Sequence, residues 1–203
     1  MALVKAAVSV IDDWTAVAQG DVVESTEYDS SSDYSILLSI QAFLDTTTAH
    51  VGTEFIPQYS VAAAGDEDWI SLPSFIALVG TAATFVVTTE AASGQKVIVS
   101  TTLPAGFDPD DASLLIVGIE DGTLINSELV TVRLYTNNDN ITVLNNLANT
   151  HAITTTSAWN IAIDMPYPIP SEASRVRLVI NNGYDSNGST LNYRLTAKTI
   201  TSL

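Results

Sequence analysis

The sequence predicts an all-β protein: an antiparallel β-sandwich of about nine or ten strands, for which a jelly roll is one arrangement. Three observations favour this fold class. β-Branched residues, serine and asparagine are abundant, whereas the charged residues that favour helix surfaces are scarce. Short apolar stretches recur at regular spacing with turn residues between them, and no segment shows a long helical period.

The first segment fits two patterns. Apolar residues alternate over residues 2–10 as in a strand, while a stripe that includes Trp14 has helical spacing. We therefore expect residues 1–19 to form either an N-terminal arm that orders on a partner or an ordinary first strand. Residues 20–203 are predicted to form a single β-sandwich domain.

The middle of the chain consists of predicted strands. Pro57 cannot donate a hydrogen bond to a neighbouring strand, so the segment 52–62 is predicted to be an edge or bulged strand. The segment 83–103 is predicted to be a hairpin whose turn carries Ser93 and Gly94. The other predicted strands occupy residues 34–45, 68–80, 113–122, 127–138 and 158–165.

The C-terminal part is predicted to be a second hairpin. Residues 174–182 and 190–200 both alternate, and the Asn187–Gly188 pair between them suits a turn with positive φ.

The charge argues against two classes of partner. The formal net charge is −16, with 23 acidic residues against 7 lysines and arginines. We therefore expect no binding to nucleic acid, which needs a basic surface, and none to anionic membranes. No stretch approaches the ~18 apolar residues of a membrane span, and no cleavage site follows a clear apolar region near the start. A soluble chain that is not a secretory precursor is expected.

The cations of the C-terminal strands are candidate partner contacts. Arg175 and Arg177 share one face of a predicted strand, and Arg194 and Lys198 share one face of the next. Together with Lys5, they could match negative charges across a subunit contact and so set its orientation. The alternative is that they are solvated or pair with acids of the same chain.

Catalytic and metal-binding residues are sparse, so the chain is expected to be neither an enzyme nor a cofactor protein. The two histidines, His50 and His151, are far apart in sequence, there is no cysteine, and no G-x-S-x-G motif occurs. Calcium binding is left open at two acidic stretches that do not follow the known loop pattern. These stretches are Asp66, Glu67 and Asp68, and Asp108, Asp110 and Asp111. Trp69, beside the first stretch, is expected to anchor the core.

The cysteine-free composition, loops such as "NNDNITVLNNLANT" and the missing signal peptide together suggest a family. In these respects the chain resembles auxiliary virion proteins of tailed bacteriophages, of the capsid decoration or cement type. The resemblance implies a homo-oligomeric sandwich, a dimer or trimer, that clamps neighbouring capsid subunits. It also implies a location in the virion, with the major capsid protein or another virion protein as partner.

Two alternatives remain open. A carbohydrate-binding module or a tail or fibre component would carry an exposed tryptophan or tyrosine platform. A glycoside hydrolase would require a cleft that holds a pair of carboxylates, and it ranks below the virion protein and the carbohydrate-binding module.

Overall fold

The structure is a computed structural model that describes residues 3–44, 52–62, 68–77, 83–100, 116–119, 127–136, 140–152, 156–161, 163–183 and 190–202. Within these ranges every regular element is a strand, and the strand pairs are antiparallel. The prediction of an antiparallel all-β fold is therefore confirmed. The strands number sixteen in the described ranges, which exceeds the predicted count because several are only two to four residues long.

The strands, in chain order, are β1 (Leu3–Val17), β2 (Val22–Glu24), β3 (Tyr28–Asp29), β4 (Asp33–Leu44), β5 (Thr53–Ser60), β6 (Ile70–Ser71), β7 (Phe75–Ala77), β8 (Ala83–Thr89), β9 (Val97–Ser100), β10 (Ile116–Ile119), β11 (Glu128–Thr136), β12 (Asn140–Val143), β13 (Thr156–Ile161), β14 (Ile163–Ile169), β15 (Arg175–Asn181) and β16 (Leu191–Ser202).

Two compact units divide the chain. The first, here the sandwich unit, comprises residues 1–41, 51–78 and 164–203. The second, here the barrel unit, comprises residues 42–50 and 79–163. The single domain expected over residues 20–203 stays a prediction, and the two units are described separately.

The sandwich unit is built from two sheets. The four-stranded sheet has the order β1-β16-β4-β14. The six-stranded sheet has the order β2-β15-β5-β6, with β3 also pairing with β15 and β7 with β5. Strands β15 and β16 therefore lie in different sheets. The predicted C-terminal hairpin is wrong, because β15 finds its partners in β2, β3 and β5 while β16 pairs with β1 and β4.

Alternate residues of these strands form the core of the sandwich unit. The inward residues have between 0% and 4% of their surface exposed, as strand periodicity requires. They include Ile36, Leu38 and Ile40 of β4, Val176, Leu178 and Ile180 of β15, and Leu191, Tyr193 and Leu195 of β16. Phe55 stacks on Phe75 at 5.2 Å between ring centroids, and Phe75 on Tyr167 at 6.3 Å, which joins the six-stranded sheet to β14.

Buried polar side chains also connect the two sheets. The Asn182 amide nitrogen donates to the carbonyl of Val17, and its oxygen accepts from the hydroxyl of Thr53 at 2.8 Å. The Tyr193 hydroxyl donates to Asp12 at 2.7 Å, and the backbone nitrogen of Thr26 donates to the same carboxylate. Burial, together with Asp12, raises the pKa of Tyr193 well above its ordinary value.

Residues 3–17 form the first strand, which was one of the two forms expected for this segment. β1 lies at one end of the four-stranded sheet and pairs along its length with β16. The register shifts at three places, between Lys5 and Val8, Val10 and Asp12, and Asp12 and Thr15. At each shift β1 has one residue more than β16, as in a β-bulge, which bends a strand and increases its twist.

Pro57 lies in a strand that has neighbours on both sides, so the expected edge strand is not found. β5 pairs with β15 from Glu54 to Ser60 without a register shift. On its other side β7 pairs with residues 53–55 and β6 with residues 58 and 59, which leaves a gap at Pro57. The carbonyl of Pro57 accepts from Leu72 on that side, so the nitrogen that lacks a hydrogen faces the gap and no ladder bond is lost.

The barrel unit is a closed six-stranded barrel of order β10-β11-β12-β9-β8-β13. The predicted hairpin of residues 83–103 is confirmed as β8 and β9, with Gly94 at φ 86° in the turn. Val87, Ile98, Ile141 and Val143 are buried in this unit. Among the described strands of this unit, closure leaves no unpaired sheet edge. A sequence period of two cannot indicate closure, because barrels and sandwiches share that period.

Candidate interaction surfaces

The alternation of β15 places two predicted contact residues on the outer face of the six-stranded sheet, away from the core. Val176 and Leu178 are fully buried on one side, and Arg175 and Arg177 lie on the other. Both guanidinium groups lie over the indole ring of Trp69, with the Arg177 group 4.2 Å and the Arg175 group 5.0 Å from the ring centroid.

Each arginine is also held by polar partners. Arg177 donates to Gln58 at 2.8 Å and to Glu24 at 2.6 Å. Its guanidinium is therefore fixed in the plane of the sheet face from two directions.

Arg175 is the more buried of the two, with 8% of its side chain exposed. It donates to Glu27 at 3.1 Å, to the carbonyl of Ala62 at 3.2 Å and to the hydroxyl of Ser60 at 3.5 Å. This residue therefore joins the loop before β3 to the end of β5.

Trp69 occupies the sheet surface and not the core, so the expected core anchor is wrong. Its side chain is half-buried. The register of β5 with β6 pairs Gln58 with Ser71 and Tyr59 with Ile70, so the preceding Trp69 falls on the arginine face. We call Trp69, Arg175, Arg177 and their partners Glu24 and Glu27 the tryptophan–arginine cluster. Sequence patterning missed it because Trp69, which directly precedes β6, meets arginines of β15, and β5 lies between these two strands in the sheet.

Exposed aliphatic side chains continue the same outer face. The register aligns Ile76, Glu54, Asn181 and Val22 in one row across β7, β5, β15 and β2. Val22 is 63% and Ile76 59% exposed, and Ile56 lies beside them. Glu54 accepts a hydrogen bond from the Ser74 hydroxyl at 2.7 Å. We call Glu54, Val22, Ile56 and Ile76 the Glu54 patch.

The outer face of the four-stranded sheet carries the remaining predicted contacts. Lys198 is exposed and lies directly opposite Val8, with Val10 and Ile200 one position further along the same face. Val8 is 52%, Val10 51% and Ile200 38% exposed. We call these four residues the Lys198 patch. Lys5 pairs with Ile200 in the register of β1, and its side chain lies outside the description.

The predicted basic residues do not form one surface. Arg175 pairs with Glu27, Arg177 with Glu24, and Arg194 with Asp13 at 3.2 Å. For these three arginines the structure matches the alternative that they pair with acids of the same chain. Since β15 and β16 belong to different sheets, Arg175 and Arg177 lie on another face of the unit from Arg194 and Lys198.

His151 is a buried structural residue of the barrel unit. It is fully buried, and its backbone exchanges two hydrogen bonds with Ala91. Its ring nitrogen Nε2 lies 2.8 Å from Glu128, whose carboxylate also accepts from the backbone nitrogens of Ala148 and Asn149. Because a carboxylate only accepts hydrogen bonds, Nε2 carries the proton and Glu128 holds the loop around residues 144–151. His50 lies outside the described residues.

The candidate calcium ligands lie largely outside the described residues. This applies to Asp66, Glu67 and the stretch 108–111, while Asp68 is described as exposed. In the described ranges, no three histidine or acidic side chains group closely enough to hold a metal ion.

A shallow groove of about 390 Å³ lies at the turn between β8 and β9. Glu90 and Lys96 are among the residues that line it, and the Lys96 amine donates to the carbonyl of Leu144 at 2.9 Å. This lysine therefore helps to hold the neighbouring loop of the barrel unit.

In the part of the chain that the structure describes, there is no helix of the length and hydropathy that crossing a bilayer requires.

Comparison with known proteins gives one distant likeness. No family model matches the sequence, and no curated protein matches it. Among solved structures, VP17, a capsid protein of bacteriophage P23-77, is similar at a TM-score of 0.20 and 8% sequence identity, with 100% of each chain covered. At that TM-score nothing follows for the fold or the function of this chain.

Proposed function

We propose that this chain is a non-enzymatic structural virion protein of the capsid decoration or cement type. It stabilises the shell by binding across neighbouring capsid subunits. The observation that carries this proposal is the tryptophan–arginine cluster on the outer face of the six-stranded sheet, where the guanidinium groups of Arg175 and Arg177 lie over the indole ring of Trp69. The virion context comes from the composition and loop style of the sequence.

The chemistry of this face suits a protein partner. Tryptophan and arginine are the side chains that most often dominate the energy of protein interfaces. Arg175 and Arg177 are already held by Glu27, Glu24 and Gln58, so little side-chain freedom is left to lose when a partner binds.

The mechanism is linkage to the assembled state. A protein that binds only across the joint between subunits stabilises the shell by mass action, since it has no complete site on a dissociated subunit.

The first experiment asks whether the chain is in particles. Virus particles purified from cultures of the organism that encodes the chain are analysed by quantitative mass spectrometry. We expect the chain at a fixed copy number relative to the major capsid protein. Its absence from the particles would overturn the proposal.

The second experiment asks which face binds. Particles stripped of the chain are incubated with purified protein and sedimented. Trp69→Ala is expected to weaken co-sedimentation at least about tenfold, as loss of an interface hot spot does. Tyr34→Ala is the matched control, because Tyr34 is an aromatic residue of β4 with 60% exposure outside this face. Equal binding by both variants would remove the role of the cluster.

A carbohydrate-binding module is the second candidate, and the half-exposed Trp69 favours it. A sugar that stacks on this indole should quench or shift its fluorescence, and Trp69→Ala should abolish binding on a glycan array. An array without hits counts against this candidate.

A further inference from the structure

Two surface patches of the sandwich unit have matching chemistry. In the Lys198 patch the amine of Lys198 lies among Val8, Val10 and Ile200. In the Glu54 patch the Glu54 carboxylate lies beside the exposed Val22 and Ile76 and the half-buried Ile56. The patches occupy the outer faces of the two sheets, so they point to opposite sides of the sandwich.

The fold does not explain the Lys198 patch. Lys198 makes no ion pair with the described residues, and the three aliphatic residues beside it are 38–52% exposed. A strand face that only needs to be soluble would carry polar residues at these positions. Grouped exposed aliphatic residues around a charge are typical of a surface that another protein covers.

The net charge limits which surfaces can meet. At −16 per chain, two copies repel each other, and a contact between copies must bring opposite charges together locally. The Lys198 patch supplies a positive group, and the Glu54 patch supplies a negative group in a similar apolar setting.

We propose that copies of this chain associate head to tail, with the Lys198 patch of one copy on the Glu54 patch of the next. The inference rests on the proposed function in taking the chain as a building block of a larger assembly, and it names the contact between its copies. Because the two patches lie on opposite faces of the sandwich unit, one neighbouring copy cannot cover both, so the contact is heterologous and does not close as a two-fold dimer. It closes as a ring of three or more copies or stays open as a filament.

The test is sedimentation velocity of the full chain, without particles, over a wide range of concentrations. Wild-type protein is expected to self-associate. Lys198→Glu and Glu54→Lys are each expected to weaken association at least about tenfold, because each places like charges opposite one another.

Mixing the two variants gives the decisive result. In the mixture, each contact between the two variants pairs either the two native patches or the two exchanged charges, so association is expected to return as filaments or as rings with an even number of copies. The double variant Lys198→Glu/Glu54→Lys is expected to associate alone for the same reason. An isologous contact through one patch would respond to only one of the two substitutions.

Matched controls test for an effect of net charge alone. Lys96→Glu and Glu90→Lys make the same charge changes at exposed residues of the barrel unit, outside both patches. Lys96→Glu also removes the hydrogen bond to the carbonyl of Leu144, so its fold is checked first by circular dichroism, and both variants should leave association unchanged. A monomeric wild type, or single variants that associate like wild type, would overturn the proposed contact. Neither outcome changes the result expected from mass spectrometry of purified particles, which tests the proposed function separately.

Discussion

Glu128 is predicted to hold a loop of the barrel unit, and Glu128→Ala tests this. The carboxylate accepts from the backbone nitrogen of Ala148 at 2.9 Å, from that of Asn149 at 3.1 Å, and lies 2.8 Å from Nε2 of His151. Water can replace the carboxylate at the two backbone groups, since Ala148 is exposed and Asn149 is half-buried. It cannot easily reach His151, which is fully buried.

The expected cost follows from these three contacts. A buried donor left without its acceptor costs about 1–3 kcal/mol, and each of the two solvated backbone bonds contributes about 0.5 kcal/mol. We therefore expect Glu128→Ala to lower the free energy of unfolding by about 2–4 kcal/mol. Glu128→Gln should also destabilise the loop, because its amide group replaces one acceptor by a donor that faces a backbone N–H.

Two measurements check this prediction. Urea unfolding gives the change in stability, and hydrogen exchange reports on the amides of Ala148 and Asn149, which should exchange faster in the variant. Glu90→Ala is the control, since this exposed residue should change stability by less than about 0.5 kcal/mol. A loss below about 0.5 kcal/mol from Glu128→Ala, with the two amides as protected as before, would refute the reasoning.

Three further changes concern the sandwich unit. Phe55→Ala removes a fully buried ring that stacks on Phe75, and urea unfolding should show a loss of about 3–5 kcal/mol. Asn182→Leu deprives the Val17 carbonyl and the Thr53 hydroxyl of a buried partner, and a loss of about 2–4 kcal/mol is expected in the same assay. Tyr193→Phe concerns alkaline pH. The folded protein raises the pKa of Tyr193, so the stability that its neutral phenol contributes is complete below about pH 10 and is lost as pH rises above that value. Tyr193→Phe should therefore flatten the alkaline decline of the urea midpoint.

For each of these three predictions there is an outcome that would contradict it. Ile76→Ala, at a residue with 59% exposure, should be nearly silent, and a cost equal to that of Phe55→Ala would show that burial is not the cause. An Asn182→Leu variant as stable as wild type would mean that the hydrogen bonds of Asn182 make no net contribution to the free energy of unfolding. An unchanged alkaline decline in Tyr193→Phe would assign that decline to other groups, such as Tyr28, whose pKa is also raised by burial and by Asp33.

The local pattern of the strands could be predicted from the sequence. The alternation in residues 174–200 predicts that Arg175 and Arg177 face away from Val176 and Leu178, and the structure confirms this. A period of two depends only on neighbouring residues, so it survives whatever partner the strand takes.

Strand partners could not be predicted, because pairing depends on residues far apart in the chain. The hairpin expected for β15 and β16 has the right strands with the wrong pairing. The prediction that Trp69 anchors the core was wrong for the same reason. A tryptophan at the head of an apolar stretch most often enters the core, but here two arginines on a non-adjacent strand provide a place for its ring at the surface.

The bulges of β1 have a consequence for how the molecule can grow into larger objects. A straight edge strand of this length would be a template on which another chain could add, and such growth has no natural end. Because β1 has three more residues than the matching part of β16, a second regular strand could keep its register with β1 over only a few positions. At high local concentration, copies of the chain are therefore expected to associate through side chains, in contacts that are reversible.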